Sequence, residues 1–359
     1  MAELPLPPGS TLGIVGGGQL GRMLALAAAR LGFDVAVLER DADSPAGRVA
    51  AHTLVGAYTD PAALEQLAAL APVVTYEFEN VPAEAVLTLQ RLGVDCAPGA
   101  EALAVAQDRV AEKQFLNASG VATVAFASAD DAQEAAAAAA EMGCPLLMKT
   151  RREGYDGKGQ RWVEHAADAA RTFEALGGVP VILEAPAEFV RELSIIAARG
   201  RDGATAVYPL AENHHEGGIL RRSLAPARVT PALADQAERI AARILNGLDY
   251  VGVLGIELFE MRDGRLLVNE IAPRVHNTGH WTQDGCEVDQ FEQHIRAVAG
   301  WPLGPTAPVA RVEMLNLLGD EVDAWLRMAH EPETRLHLYG KREAKPGRKM
   351  GHVNKLKGL

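Results

Sequence analysis

Over its first hundred residues the chain alternates two rhythms. Short unbroken apolar runs at Thr11–Val15, Asp34–Glu39 and Val73–Tyr76 read as strands buried on both faces. Between them, residues 19–31 and 62–70 repeat their apolar positions every three or four residues and read as helices, the first stopping at Gly32. Strand and helix in alternation imply a parallel sheet covered by helices. A helix over 108–119 then leads into a second unit. There an alanine-rich helix spans 130–142, with Asp130 or Asp131 as cap and Gly143 as stop. Strands at 145–149 and 161–164 flank a glycine-rich loop, followed by a helix at 166–176 and a strand at Val181–Glu184. Onward to about residue 315 the pattern is mostly β, broken by helices at 231–245 and 289–298. The class is therefore α/β followed by α+β, and the length fits two or three domains.

One hairpin carries an unusual pairing. Residues 252–260 and 265–271 read as strands, and Asp263-Gly264 between them is a strong signal for a two-residue turn. That turn sets Glu257 directly opposite Glu270, with Cβ atoms roughly 4.5–5.5 Å apart, where like charges repel. A cation between them removes the conflict. Oxygen ligands suit Mg²⁺, which takes one or two carboxylates plus substrate phosphates. Two glutamates on a solvated sheet edge, or a register slip of one residue, are the bland alternatives.

Charge and cysteine content narrow the classes. The net charge of −12 argues against a general nucleic-acid surface. The balance is uneven, because residues 335–359 hold eight Lys/Arg and a single acid, Glu343. Such a tail either meets an anionic partner or is a solvated end. Cys96, Cys144 and Cys286 are widely separated and form no C-x-x-C, which fits a reducing compartment without structural disulfides or a zinc site. With no visible signal peptide and no apolar run of about 18 residues, a cytoplasmic location without membrane contact is expected.

Several segments carry candidate chemistry. Gly16-Gly17-Gly18-Gln19-Leu20-Gly21 fits G-x-G-x-x-G between a strand and a helix, and Glu39 ends the next strand. This pattern admits NAD, another phosphate-bearing ligand, or plain tight packing. The loop from Lys149 through Gly154, Tyr155, Asp156, Gly157, Lys158 and Gly159 to Gln160 offers free backbone N–H groups for phosphates, with Lys149 as a fixed cation. Tyr155 and Asp156 at its centre point to a second substrate. The strand end Glu184-Ala185-Pro186-Ala187 can present backbone groups to a base edge, and Glu192 can reach a ribose. Of His214 and His215, adjacent and pointing apart, one is expected to face a nucleotide. The run Asn269-Glu270-Ile271-Ala272-Pro273-Arg274-Val275-His276-Asn277-Thr278-Gly279-His280-Trp281-Thr282 is densely polar, and Arg274 is suited to a developing phosphoryl charge.

Taken together, these segments resemble an ATP-grasp enzyme. The stretches 16–23 (GGGQLGRM), 76–82 (YEFENVP), 154–160 (GYDGKGQ), 269–282 (NEIAPRVHNTGHWT) and 346–352 (PGRKMGH) more closely resemble the N5-carboxyaminoimidazole ribonucleotide synthetase family of purine biosynthesis. The resemblance covers nearly the whole chain. It implies an ATP-grasp fold behind a Rossmann-like pre-ATP-grasp domain, divided as 1–105, 106–185 (a lid) and 186–359. It also implies a ligase that converts 5-aminoimidazole ribonucleotide, ATP and bicarbonate into the N5-carboxylated product, ADP and phosphate through carboxyphosphate, in a homodimer.

By motif position, the resemblance assigns ATP to Arg109, Lys149, residues 154–160, Glu184, Ala185, Pro186, Ala187, Glu192, His215, Asn269 and Glu270. It assigns Mg²⁺ to Glu257 and Glu270, and the chemical step to Arg274 and Lys149. The ribonucleotide falls to Gln19, Glu77, Tyr155, Asp156, Arg274, His276 and Asn277, with Lys341, Arg348 and Lys349 on its phosphate. On strict alternation Asn269 points away from Glu270, so its role requires a bulge or is indirect. Two rivals stand beside this reading. One is a sister ATP-grasp enzyme such as formate-dependent glycinamide ribonucleotide transformylase. The other is an NAD-dependent oxidoreductase built on Gly16–Gly21 and Glu39.

Overall fold

A computed structural model describes residues 3–154 and 157–358. Tyr155 and Asp156, assigned above to a second substrate, lie outside the described residues.

Three sheets organise the chain. The first is wholly parallel and runs in the order His52–Val55, Asp34–Glu39, Thr11–Val15, Val73–Tyr76, Asp95–Cys96. The chain winds outward from Thr11–Val15 in both directions, so a crevice opens beyond the carboxyl ends of Thr11–Val15 and Val73–Tyr76. The second sheet is antiparallel and orders Phe126–Ala129, Val181–Glu184, Leu146–Thr150 and Gln160–Val163. Ala132–Met142, capped by Asp131 through Gln133 and Glu134 N–H (both 2.8 Å), covers its back. The third sheet has nine strands and holds the hairpin of Gly252–Met261 with Leu266–Ala272 at one edge.

The first and third sheets share one apolar core. Leu24 and Ala28 of the helix Gln19–Arg30 join Phe291, Ile295 and Val298 of the helix Gln290–Val298 and Val253 of the large sheet. His294 staples the seam, since its Nδ1 accepts the Val253 N–H (3.0 Å) and its Nε2 therefore donates to Thr75 Oγ1 (2.7 Å). Burial holds this imidazole neutral, with its pKa pushed down to about 3.

The basic tail is neither a solvated end nor outside the fold. Lys349–Lys357 is an inner strand between Arg311–Leu318 and Thr334–Leu338, and residues 350–354 are buried. Many of its cations meet acids: Arg342 with Asp43, Lys345 with Glu343, Lys355 with Glu331 and Lys357 with Glu313.

The glycine-rich turn differs from the dinucleotide expectation. Glu77 places its carboxylate across the start of the helix, accepting the N–H groups of Gly18 (2.5 Å) and Gly21 (2.6 Å). Glu39 accepts the Gly17 N–H (2.7 Å) and the Tyr58 hydroxyl (2.8 Å). A Cβ on Gly18 would sit 2.5 Å from Glu77 Oε1, which is why the position is glycine. The N–H groups that favour an anion at a helix start already hold two carboxylates of the chain itself. The NAD reading, and that of a phosphate on this turn, therefore fail.

Candidate functional site

The crevice beyond the first sheet opens into a cleft of about 480 Å³, walled by all three parts of the chain. Gln19, at the first turn of its helix, forms one wall with Phe78 and Glu79. Arg109, at the start of the helix Arg109–Ala118, lies beneath the second sheet. That sheet contributes Lys149 and Gln160, with Gly154, Gly157 and Lys158 from the glycine-rich loop. The large sheet supplies Glu192, His215, Glu257, Asn269 and Glu270. Arg274, His276, Asn277 and Lys349 close the far end.

The two hairpin glutamates do pair, by a route that differs from the expected one. The turn contains three residues, 262–264, because Met261 pairs with Arg265 through its N–H (2.9 Å) and Gly264 takes a φ of +80°. The extra residue moves Leu258 opposite Val268. A bulge at Asn269 then restores the offset, so that Glu257 stands opposite Glu270. The bulge also resolves the alternation problem. It turns Asn269 onto the glutamates' face, where its Nδ2 donates to Glu257 Oε2 (3.3 Å).

Electrostatically this corner is short of positive charge. Burial, and next the charge of Glu270, push the Glu257 carboxyl up to about 7. Arg109 reaches Glu270 Oε2 (3.3 Å) and the Gly154 carbonyl (2.9 Å), tying the metal-type carboxylate to the loop. The hard oxygens of Glu257 and Glu270 on one face fit Mg²⁺. Among the described residues no group of three or more His, Cys, Asp and Glu could hold a metal ion unaided. His215 pairs with Glu192 across adjacent strands, and His214 and His215 alternate in direction along one strand, the bulge beside them leaving Arg221 of the neighbouring strand unpaired in the ladder.

Arg274 is half-buried and paired with Glu79, and its Nη1 donates to the Val275 carbonyl (3.0 Å). Glu79 drops to about 2: burial alone would raise it, and the guanidinium overrides that. Behind the cation, His276 packs so close to Gly255 that a Cβ there would lie 2.5 Å from its own Cβ. Burial and then Arg274 push His276 down to about 3, so it is neutral. Both amide atoms of Asn277, which faces the cleft, are buried without a hydrogen-bond partner among the described residues.

Other expected residues are not brought to the cleft wall. Glu77 is spent on the glycine turn. Glu184 is buried behind the wall between Lys113 (3.1 Å) and Lys149 (2.6 Å). The Ala185 N–H donates to the Ala125 carbonyl (2.9 Å), and Ala185, Pro186 and Ala187 lie off the lining, as does Gly159. Lys341 donates to the Lys349 carbonyl (2.8 Å) just outside it. Arg348 is exposed, donates to the Glu343 carbonyl (3.0 Å) and points elsewhere.

Sequence reasoning also missed residues. Glu79 and Glu77 share one stretch, and only the turn after Val73–Tyr76 decides which reaches the cleft. Glu112 and Lys113 were legible in principle. Arg109, Glu112, Lys113 and Leu116 recur at i, i+3, i+4, i+7, so charged residues share a face with buried Leu116. Glu112 accepts the Ile271 N–H (2.6 Å), next to Glu270.

Comparison with known proteins agrees with this geometry. Three family models match: the ribonucleotide synthetase preATP-grasp domain over residues 10–107, the ATP-grasp domain over 114–291, and the phosphoribosylaminoimidazole carboxylase C-terminal domain over 313–358. An N5-carboxyaminoimidazole ribonucleotide synthase of Brucella melitensis is 50% identical over 359 residues, covering 99% of each chain. A solved ADP complex of an N5-carboxyaminoimidazole ribonucleotide synthetase superimposes with a TM-score of 0.94 at 41% identity, covering 98% of this chain and 93% of that one. A synthase from Aspergillus clavatus in complex with ADP and 5-aminoimidazole ribonucleotide gives 0.91 at 32% identity, over 98% and 94%. On whole-length identity and shared architecture, this chain belongs to the N5-carboxyaminoimidazole ribonucleotide synthase family of ATP-grasp proteins.

Proposed function

We propose that the protein is an ATP-dependent ligase that carboxylates the exocyclic amine of 5-aminoimidazole ribonucleotide, consuming ATP and bicarbonate and releasing ADP and phosphate. One observation carries the reading: a paired Glu257/Glu270 corner and a half-buried arginine, Arg274, share one cleft with a glycine-rich loop. Glu257 and Glu270 would hold Mg²⁺, which would supply positive charge to offset the negative charge of the phosphate groups.

The chain's own residues divide the remaining work. Lys149, Lys158 and the loop N–H groups bind and orient the triphosphate, and Arg109 fixes the loop relative to Glu270. A bicarbonate oxygen attacks the γ-phosphorus, the bond to the β–γ bridging oxygen breaks, and ADP leaves with carboxyphosphate formed. Arg274, pinned by Glu79, faces the charge on that intermediate. The substrate amine then attacks the carboxyl carbon, phosphate departs, and the amine loses a proton. Neutral His276 and the amide of Asn277, unpartnered among the described residues, are suited to hydrogen-bond the imidazole substrate. Lys349, with Lys341 behind it, takes the ribonucleotide phosphate; Arg348 and Glu77 have no part in this scheme.

The test is ADP release with each substrate omitted in turn. Release that requires both the aminoimidazole ribonucleotide and bicarbonate is expected. Equal release with formate and glycinamide ribonucleotide would move the protein to the sister reaction.

A further inference from the structure

Lys113 is 1% exposed and takes no part in the scheme above, yet it stands at a junction of three elements. Its ammonium lies 3.1 Å from Glu184 Oε1, on the last residue of a lid strand, and donates to the Asn269 carbonyl (3.3 Å), on the bulge of the glutamate hairpin. Glu184 Oε2 is 2.6 Å from Lys149, on the neighbouring lid strand. One carboxylate is thus held between two lysines, and only one of them lines the cleft. Burial would raise the Glu184 carboxyl, but Lys149 and then Lys113 keep it below its ordinary value, so it is ionised.

An ionised buried carboxylate needs a close counter-charge. With Lys149 alone beside it, that demand would hold the ammonium against the lid wall and away from the triphosphate. A second lysine lessens the demand. We propose that Lys113 is a positioning residue that serves as the standing counter-ion of Glu184 and so frees Lys149 to turn toward the nucleotide. The inference rests on the assignment of ATP to this cleft, and it adds a residue that acts on nucleotide affinity through two others.

The experiment is a cycle on the full-length protein, read by calorimetric titration with Mg²⁺–ADP and by the KM values for both nucleotides. The wild type is measured first: absence of Mg²⁺–ADP binding would overturn the cleft's assignment and the inference with it. Given binding, Lys113→Met is expected to weaken ADP and raise the KM for ATP about tenfold, a change of one hydrogen-bonded charge contact. The KM for the aminoimidazole ribonucleotide should stay within about twofold on the same scale. Lys113→Arg, which keeps the charge, should approach the wild type. Glu184→Gln added to Lys113→Met should restore ADP affinity, because the group competing for Lys149 is gone.

A merely structural lysine gives a different pattern: a lower melting temperature, unchanged affinity and no rescue. That pattern would overturn the inference. If Lys113→Met does not fold, the double variant decides against Glu184→Gln alone. Once Glu184 is neutral, loss of Lys113 should leave affinity unchanged, and a tenfold loss there would sink the proposal.

Discussion

Two places in this molecule gather glutamates, the glycine turn behind the cleft wall and the hairpin lining the cleft, and they have opposite characters. At the glycine turn, Glu77 accepts two N–H groups at 2.5 and 2.6 Å, and Glu39 is likewise taken up by Gly17 and Tyr58. At the hairpin, Glu257 receives, among the described residues, a single longer bond, from Asn269 (3.3 Å), and faces Glu270. Sequence motifs point to ligand binding at both. The difference is hydrogen-bond saturation. Carboxylates already filled by their own chain build architecture, whereas a like-charged pair with few donors is arranged for something the chain does not supply.

The sharpest way to break this comparison is Glu270→Gln. If the hairpin is functional, ADP release should fall at least about a thousandfold, as for loss of a ligand to a catalytic metal, with the melting temperature maintained. Near-normal turnover at ordinary Mg²⁺ would remove the metal role. Next in size, Glu77→Ala should lower stability by about 2–3 kcal/mol by orphaning two N–H groups, measured by urea unfolding. A stable variant that had lost only substrate affinity would make Glu77 a ligand after all.

Lys349→Ala should raise the KM for the ribonucleotide about tenfold, the scale of one charge-assisted phosphate contact, with little change for ATP. An equal rise in both would detach the tail from the phosphate. The smallest effect sharpens the contrast by pH. The folded-state pKa of Glu257, about 7, lies above the ordinary glutamate value of 4.5, so the folded state binds this proton more tightly. Ionised Glu257 therefore opposes folding above pH 7, and the penalty fades as pH falls from 7 to 4.5. Without divalent cations, Glu257→Gln should melt a few degrees higher than the wild type at pH 8 and converge with it near pH 4.5, by scanning calorimetry. Equal melting temperatures at pH 8 would show that the pair carries no strain.

Much was legible along the chain. The strands Thr11–Val15, Asp34–Glu39, Val73–Tyr76 and Val181–Glu184 fall where the apolar runs put them, because fully buried strands leave no polar breaks. The Glu257/Glu270 pairing was legible in outcome but not in route. A three-residue turn and a bulge each shift the register by one residue, and their offsets cancel. Of the two readings of the tail only the solvated end fails, because its lysines and arginines mask a strand whose intervening residues, 350–354, are buried.

By itself, the sequence determined the alternation of elements and the glycine-rich loop over a cationic strand end, since both follow from local periodicity and turn chemistry, whereas the two acids meet face to face only because a three-residue turn and a bulge offset each other. Tertiary structure alone decided which charges stay available. Glu77 and Glu184 are absorbed by partners 56 and 71 residues away in the chain, Gly21 and Lys113. Arg274 is instead fixed at the cleft by Glu79, 195 residues before it. Such distant pairings depend on how sheets and helices pack, and no local pattern encodes them.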